Sequence, residues 1–325
     1  MPVSSSATVI PTIDEFIGHW EQCDEVLGSS PFVPAVPGKP GTNLVAFELM
    51  RTGVLNAQTE VQARLNNLET ARGQIRLDKT ALLKVMEDFL GVLDGYYQGT
   101  SFYGGRPLMP NLGDGQDKFT KPMIDAMTLW EDINGSAAPS GVTVPVTLTS
   151  GVNQGTFASM ISALQFGYLA AAKAERRLKT ARTERTILEE AACAVMKAYR
   201  TAAPQKLSQF PALAATIPKL TPDPGHTPDP VQASATFTAP STSHVVHAAS
   251  ADADLDYYEL EGTNGEEWSE EDAVNLGRHN PGDANEFTVT FGLTQPDTAV
   301  ALKVYVVLKT GRRAGSAPMI VRRPA

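Results

Sequence analysis

Apolar residues recur every seven positions between residues 47 and 96 without a break, and this repeat constrains the fold more than any other feature. The repeat consists of Phe47, Val54, Val61, Leu68, Ile75, Leu82, Phe89 and Tyr96. A seven-residue apolar repeat keeps one face of an α-helix towards a partner helix, so the sequence predicts a coiled-coil arm. Gly73, in the middle of the repeat, predicts a bend or local fraying.

The distribution of proline favours two long helices. The chain has 325 residues and 23 prolines, yet none of them lies in residues 41–106 or 146–203. An interior proline costs a helix ~3 kcal/mol, so the long helices belong in these two windows. We therefore predict helices over residues 43–97 and 155–201.

Two shorter helices complete the predicted helical domain. Residues 12–28 begin with a capping box, in which the side chains of Thr12 and Glu15 satisfy free backbone N–H groups at the helix start. Residues 120–134 carry Met, Ile and Trp at helical spacing, which indicates a buried face. With the two long helices antiparallel, these elements predict a coiled-coil or four-helix bundle over residues 1–203.

One segment inside this domain has the pattern of a strand. Residues 142–149, VTVPVTLT, alternate apolar and polar, and Pro145 confines such a strand to a sheet edge. No neighbouring segment is an obvious partner, so its backbone groups would be left unpaired. Two alternatives remain: pairing within the subunit, for example with residues 98–110, or strand addition between subunits, with residues 4–10 as the donor.

A proline-rich segment divides the chain. Residues 204–230 contain seven prolines and the tetrapeptide TPDP twice, which predicts a semi-rigid extended linker. After it the pattern changes to short strands separated by turns. The predicted strands cover residues 233–239, 243–250, 256–262, 285–292, 300–310 and 317–323. Residues 311–315 predict the turn of a hairpin between the last two strands.

Two segments of this C-terminal part resemble fibronectin type III domains. DADLDYYELEG at residues 252–262 is similar to the family's turn into its third strand. LTQP at 293–296, with the two strands that follow, is similar to the end of the domain. The resemblance implies a β-sandwich over residues 231–325; an immunoglobulin-like sandwich of another subfamily is the alternative. The whole layout also resembles that of bacterial proteins with an N-terminal helical hairpin domain, and this implies no activity.

The histidines and cysteines predict no site. His244 and His247 are three apart on a predicted strand, so they face opposite ways and do not form a metal-binding pair. We expect neither Cys23 nor Cys193 to lie beside a histidine, which argues against a thiol nucleophile. The sequence thus predicts no catalytic, cofactor-binding or metal-binding residue.

Alternating aspartates offer one weak alternative to that conclusion. Asp252, Asp254 and Asp256 have the spacing of calcium ligands, but the glycine and glutamate of an EF-hand loop are missing. We therefore favour a solvated loop over a calcium site.

Charge and hydropathy limit the partners. A formal net charge of −9 argues against nucleic acid or an anionic membrane. No apolar run reaches the ~18 residues of a membrane span, so we expect no membrane insertion. The N-terminal residues lack the features of a Sec signal, which predicts a cytoplasmic protein or export by a non-Sec route.

Taken together, these patterns favour a multidomain chain, first α and then β, with a helical bundle, a Pro-rich linker and a fibronectin type III-like β-sandwich. The expected function is that of a non-enzymatic structural protein. It would self-assemble as a homo-oligomer, in a filament or as a surface or particle component, and its helical stalk would display the sandwich. The alternative is a binding or adhesion module for a protein or glycan ligand.

Overall fold

The structure is a computed structural model that describes residues 3, 5–28, 31–37, 41–221 and 225–324. Within these ranges the N-terminal part is helical and the C-terminal part forms β-sheets, as predicted. The helices are α1 Ser6–Leu27, α2 Leu44–Tyr96, α3 Ser101–Gly104, α4 Gln116–Asn134, α5 Gln154–Lys206 and α6 Pro211–Ala214. The strands are β1 Ala233–Thr238, β2 Thr242–His247, β3 Leu255–Asn264, β4 Val274–His279, β5 Glu286–Val289, β6 Ala299–Leu308, β7 Arg313–Gly315 and β8 Met319–Arg322. In this described part, no helix combines the length and the apolar character needed to cross a membrane.

Contacts divide the chain into two compact units. The first comprises Met1–Asn66 and Leu178–Ala325, and the second comprises Asn67–Arg177. Helices α2 and α5 contribute residues to both units. The predicted domains, residues 1–203 and 231–325, are drawn from composition and not from contacts. Their boundaries stay a prediction.

Helix α2 agrees with its predicted bounds to within one residue. It continues through Gly73 without a break, so the predicted fraying there is wrong. All residues of the seven-residue repeat are buried except Ile75, which is half-buried, and Tyr96, which is exposed while Tyr97 is buried. An α-helix has 3.6 residues per turn, so a strict seven-residue repeat drifts by about 20° per repeat. The drift explains why the buried position passes from Tyr96 to its neighbour.

Helix α1 begins six residues earlier than predicted. The Ser5 N–H donates to Thr8 Oγ1 at 3.1 Å, whereas Thr12 lies inside the helix and donates its hydroxyl to the Thr8 carbonyl at 2.7 Å. The predicted cap at Thr12 is therefore wrong. The helix extends through Pro11 because its first turns also bury apolar side chains, such as Val9, in the core.

Residues 142–149 do not form a strand. Thr147 makes only an isolated bridge, and the segment packs against α4 instead. The Val146 N–H donates to Asn134 Oδ1 at 2.7 Å, and the Val146 carbonyl accepts from Trp130 Nε1 at 3.3 Å. The sequence alternates because alternate side chains are buried, but they face a helix rather than a second strand.

The proposed donor for strand addition is also wrong. Residues 6–10 are the first turns of α1, and Ser4 lies outside the described residues. Strand addition between subunits therefore has neither the acceptor nor the donor that the sequence suggested.

Each unit has its own helical core. In the second unit, Trp130 of α4 stacks on Phe89 of α2 with 4.7 Å between ring centroids, and its ring lies 5.9 Å from Phe157 of α5. In the first unit, aromatic side chains surround Trp20 of α1, whose ring centroid is 4.9 Å from that of Tyr199 of α5. Shared apolar burial of this kind is the main stabilising contribution to such helices.

The predicted extended linker is partly helical and packed. Helix α5 continues through Pro204, residues 211–214 form α6, and Leu207 is buried. Leu220 packs partly against the core that contains Trp20. The extended conformation is therefore wrong for residues that carry apolar side chains between the prolines, and residues 222–224 lie outside the described residues.

The C-terminal strands form two antiparallel sheets. One has the order β1-β2-β5, and the other has the order β4-β3-β6-β7 with β8 also paired to β6. Both sheets contribute to one apolar core, which includes Val245 and Phe287 from the first sheet and Leu260 and Val304 from the second. Strands β4 and β7 were not predicted, because β4 lacks a period of two and β7 has only three residues.

The predicted hairpin between the last two predicted strands is confirmed. Leu302 of β6 lies opposite Met319 of β8, and β7 lies between them in sequence and also pairs with β6. The turn is tighter than predicted, because the Leu308 N–H donates to the Arg312 carbonyl at 2.9 Å. Gly311 adopts a φ of 82° in this turn, a left-handed conformation that glycine adopts without strain.

Candidate functional site

Buried polar side chains form a chain of hydrogen bonds in the helical core of the first unit. Cys23 Sγ lies 3.0 Å from the Tyr199 hydroxyl oxygen, which lies 2.7 Å from His19 Nδ1. His19 Nε2 lies 2.9 Å from the Leu213 carbonyl. One set of donors satisfies all four groups: the thiol donates to the tyrosine, the tyrosine to Nδ1, and Nε2–H to the carbonyl.

This chain corrects the expectation that neither cysteine lies beside a histidine. His19 and Cys23 are four residues apart on α1, so they share one face of the helix, 3.5 Å apart. Burial raises the pKa of the Cys23 thiol, the opposite of what a nucleophilic cysteine requires. The arrangement therefore holds α1, α5 and the segment at Leu213 together, and it has no exposed reactive group.

Two carboxylates are fully buried on one face of β3. Glu259 and Glu261 are two residues apart, so they point to the same side of the strand. Arg313 of β7 forms ion pairs with both, at 3.1 Å to Glu259, and Arg278 of β4 donates to Glu259 at 2.8 Å. The Arg313 guanidinium also donates to Ser5 Oγ at 2.9 Å, so the network reaches the start of α1.

Burial changes the protonation of one of these carboxylates, Glu261. Burial raises the pKa of Glu261 to about 7; the neighbouring Glu259 acts in the same direction, and Arg313 opposes them. A carboxyl group with a raised pKa beside a second carboxylate is found in many sites of acid–base catalysis. Here both side chains are 0% exposed, so no substrate reaches them, and we interpret the network as a structural ion cluster.

A second polar contact joins the helices to the sheets within the first unit, and we call it the helix–sheet joint. It consists of Gln62 of α2, Arg182 and Arg185 of α5, Asn264 of β3, and Asp272 before β4. Arg182 Nε donates to Asp272 Oδ1 at 2.9 Å, and its second nitrogen pairs with the other carboxylate oxygen. Gln62 donates to the Asp272 carbonyl at 2.7 Å and accepts from Asn264 at 2.7 Å.

The helix–sheet joint is a positioning contact. Asp272 and Arg185 are almost entirely buried. Arg182 contacts both carboxylate oxygens of Asp272, and such a two-point pair fixes orientation as well as distance. Sequence reasoning missed it because its members come from four separate segments and carry no local pattern.

The histidines of the β part include one close pair that the sequence did not predict. His244 and His247 do face opposite ways: His244 lies 3.2 Å from exposed Glu286, whereas His247 is buried. His247 instead meets His279, with 2.8 Å between their Nε2 atoms. Pairing of two strands distant in sequence creates this contact, so spacing alone could not reveal it.

The aspartate run has no calcium-site geometry. Asp252 accepts from the Ser250 hydroxyl at 3.2 Å and lies 2.9 Å from His226 Nε2, and the contact with His226 holds the pKa of Asp252 below its usual range. Asp254 and Asp256 are exposed. Across the described ranges, no group of three or more His, Cys, Asp or Glu side chains is arranged to hold a metal ion.

A small cavity lies in the first unit, with a volume of about 200 Å³. Its lining residues are Glu15, Lys219, Asp256, Tyr257, Val307, Leu308, Lys309, Thr310 and Gly311. Ligand pockets usually have ~300–1,000 Å³, so this cavity is smaller than a usual ligand pocket.

Large apolar side chains are exposed on the two long helices. Phe166 and Leu169 of α5 are 70% and 66% exposed, and Val45 and Leu49 of α2 are 61% and 68% exposed. Within each pair the residues are three or four apart, so they share one face of their helix. Neighbouring exposed apolar side chains are typical of protein–protein contacts.

Comparison with known proteins gives neither a family nor an activity. No protein-family model matches the chain, and no curated protein matches it. The chain is similar to an Fn3-like protein from Clostridium thermocellum, with 16% identity and a TM-score of 0.25, over 31% of this chain and 97% of that chain. A structure described as a myokine matches with 11% identity and a TM-score of 0.25, over 31% of this chain and 100% of that chain.

A pectate lyase from Pectobacterium carotovorum matches with 10% identity and a TM-score of 0.24. That match covers 28% of this chain and only 27% of the lyase. Similarity at this level carries no argument about activity, substrate or partner.

Proposed function

We propose that this chain is a non-enzymatic structural protein that self-assembles as a homo-oligomer, as a filament or as a surface or particle component. In this proposal an antiparallel long-helix bundle is the stalk and a fibronectin type III-like β-sandwich is displayed on it. The antiparallel arrangement is supported by the cores: in the first unit the start of α2 packs with the end of α5, and in the second unit the end of α2 packs with the start of α5. The sandwich is supported by the apolar core that the two sheets share.

The observation that carries the proposal is the exposure of large apolar side chains on both long helices. Phe166 with Leu169, and Val45 with Leu49, expose most of their apolar surface to water. Burying apolar surface contributes roughly 25 cal/mol per Å², so contact with a second copy would stabilise an assembly. These helical faces replace residues 142–149 as the proposed contact.

The oligomeric state of the full chain in solution tests this proposal. We expect size-exclusion chromatography with light scattering to show species larger than a monomer that dissociate on dilution. The double variant Phe166→Ser/Leu169→Ser, or the variant Val45→Ser/Leu49→Ser, should shift the distribution towards the monomer. The control Gln165→Ala changes an exposed polar residue of the same helix and should leave the distribution unchanged.

Two results would contradict the proposal. One is a full-length protein that stays monomeric at every concentration tested, and the other is an oligomer that neither double variant weakens. Circular dichroism of each variant is needed alongside, because a loss of helix would disperse the oligomer for a different reason.

The alternative is a binding or adhesion module for a protein or glycan ligand. The observation in its favour is a group of exposed apolar side chains in the loop before α4, where Leu108 is 84% exposed and Met109 and Leu112 are also exposed. A dilution-stable monomer that binds a ligand saturably, and loses binding in Leu108→Ser/Met109→Ser, would favour this function over assembly.

A further inference from the structure

Two imidazole rings meet where the two sheets face each other. His247 is the last residue of β2, in the three-stranded sheet, and His279 is the last residue of β4, in the other sheet. Their Nε2 atoms are 2.8 Å apart, the ring centroids are 5.0 Å apart, and the ring planes differ by only 15°. A separation of 2.8 Å is that of a nitrogen–nitrogen hydrogen bond, so one proton lies between the rings.

The number of protons on the pair follows from the partners of the other ring nitrogens. His247 Nδ1 lies 2.9 Å from the Ala248 carbonyl, and His279 Nδ1 lies 3.3 Å from the Asn280 carbonyl. A carbonyl only accepts, so each Nδ1 must carry hydrogen to make its bond. With one more hydrogen between the Nε2 atoms, three hydrogens on two rings satisfy every contact, and the pair carries one positive charge.

Neutral and doubly charged pairs fit less well. A neutral pair has two hydrogens, and it keeps the contact between the rings by giving up the longer bond to Asn280. A doubly charged pair has four hydrogens, so two Nε2–H groups face each other with no acceptor between them. Like charges at this distance repel strongly in a half-buried site. Protonation of the second ring, which adds the fourth hydrogen and gives the pair two positive charges, is therefore the step that breaks the contact.

The surroundings leave the pair without a counter-charge. The titratable and charged groups on the neighbouring elements are His244, Tyr258, Arg278, Asp283 and Glu286. His244 pairs with Glu286 on the opposite face, Arg278 donates to Glu259, and the Asp283 carboxylate accepts the Asn280 N–H at 2.8 Å. The Tyr258 hydroxyl accepts the Ser250 N–H at 2.6 Å. In the part of the chain that the structure describes, no carboxylate bonds to either ring of the pair.

Aromatic rings enclose the pair instead. The Tyr258 ring centroid is 4.3 Å from that of His247, and the Phe287 centroid is 4.6 Å from that of His279. His247 is 5% exposed, whereas His279 is partly exposed. Burial lowers the pKa of His247, and His279 adds to this effect, so His247 stays neutral and accepts while His279 donates.

We propose that the hydrogen bond between His247 and His279 is an acid-sensitive latch between the two sheets. The latch is closed while His247 is neutral. It opens when both rings are protonated, and the ends of β2 and β4 then separate. Histidine is the side chain whose ordinary titration range makes such a switch effective under mildly acidic conditions.

The direction of the pH effect follows from the lowered pKa of His247. In the unfolded chain this ring takes up a proton near pH ~6.5, but in the folded protein it does so only at lower pH. Between these two values the unfolded state binds more protons, so stability is present above pH ~6.5 and is lost as pH falls through the folded value.

Nuclear magnetic resonance of the full chain with ¹⁵N-labelled histidine tests the latch directly. Spectra that correlate ring nitrogens with ring protons, recorded from about pH 8 to about pH 4.5 around the ordinary histidine value, report the protonation of each ring. We expect His247 to remain neutral below the ordinary histidine value. Protonation of both rings should broaden or shift the signals of residues in β2 and β4. Independent titration of His247 and His279 as ordinary histidines would overturn the proposal.

Thermal unfolding of variants provides the second measurement. His247→Gln removes the ring whose pKa burial lowers, so this variant should lose much less stability on acidification than the unsubstituted chain. His279→Gln removes only the repulsion between the two protonated rings, so its acid effect should be reduced but should keep the part that comes from the burial of His247. His244→Gln is the matched control, because it lies on the same strand with its side chain on the opposite face and should retain the full acid effect. An equal acid effect in the unsubstituted chain and in His279→Gln would contradict the latch; the spectra decide if His247→Gln fails to fold.

Discussion

At the scale of single residues, the buried carboxyl group of Glu261 gives the clearest dependence on pH. Its pKa of about 7 in the folded protein exceeds the ordinary value of 4.5 that applies to the unfolded chain. Between these values the folded state holds a proton that the unfolded state has released. The stability that the protonated Glu261 side chain contributes to the folded state is therefore fully present below about pH 4.5. It is lost as pH rises through 7.

We predict that Glu261→Gln removes this dependence. At pH 8 the variant should be more stable than the unsubstituted chain by up to ~3 kcal/mol, because the amide does not ionise. At about pH 4.5 the two should differ little. Chemical denaturation at both pH values measures this, with exposed Glu267→Gln as the control. Parallel pH profiles for Glu261→Gln and the unsubstituted chain would show that Glu261 does not titrate in this range.

The hydrogen-bond chain in the helical core gives a second residue-scale prediction. Tyr199→Phe removes the hydroxyl that links Cys23 to His19 and leaves both without that partner. We expect a loss of about 1–3 kcal/mol in unfolding free energy, the usual cost of an unsatisfied buried polar group. Tyr96→Phe is the control, because Tyr96 is 52% exposed and should change stability little. Equal stability of the two variants would mean that the chain contributes nothing.

Sequence reasoning missed both of these buried polar clusters, for different reasons. The spacing of His19 and Cys23 on one helix is a local signal that could have been used. The pairing of Glu259 and Glu261 with Arg313 has no such signal, because the register of β3, β6 and β7 brings together residues more than fifty positions apart. Buried polar clusters depend on the order of the strands in a sheet. The alternation of residues within one strand does not reveal that order.

At the scale of elements, the apolar repeat makes the strongest prediction. Leu68 of α2 and Leu178 of α5 are 4% and 3% exposed. Changing either to Asp places a charge in an apolar site, so we expect a loss of several kcal/mol, about 3–5, in unfolding free energy. Leu77→Asp and Ile187→Asp are matched controls on the same helices, since both side chains are mostly exposed. Unchanged melting of Leu68→Asp would show that the repeat on α2 is not buried, and unchanged melting of Leu178→Asp would show that this face of α5 is not buried.

The same scale shows where periodicity is sufficient and where it fails. A long repeat fixes α2 to within one residue, because each turn adds independent evidence for one buried face. Residues 142–149 carry an equally regular alternation, yet the surface that buries Val146 is a helix, with Asn134 and Trp130 as hydrogen-bond partners. An alternation of apolar and polar residues shows which side chains are buried. It does not show whether they pack against a strand or a helix.

At the scale of the whole molecule, the main question is how the β part depends on the helices. Its apolar core lies entirely within residues 231–321 and draws on both sheets. Its contacts with the helices in the first unit include a strongly polar set: Asp272 with Arg182, Asn264 with Gln62, and Arg313 with Ser5. Polar groups released from such contacts are hydrated in water, whereas an exposed apolar face would aggregate.

We therefore predict that a fragment of residues 231–325 folds alone with one cooperative transition. The fragment should be less stable than the same residues in the full chain, because Arg182 no longer compensates Asp272. In the full chain, Asp272→Asn should reproduce part of that loss, while the fragment should tolerate the same change, since its Asp272 is already hydrated. Thermal and denaturant unfolding of the four proteins measures this. A molten or insoluble fragment, or an Asp272→Asn effect of the same size in fragment and full chain, would mean that the helices complete the core of the β part rather than position it.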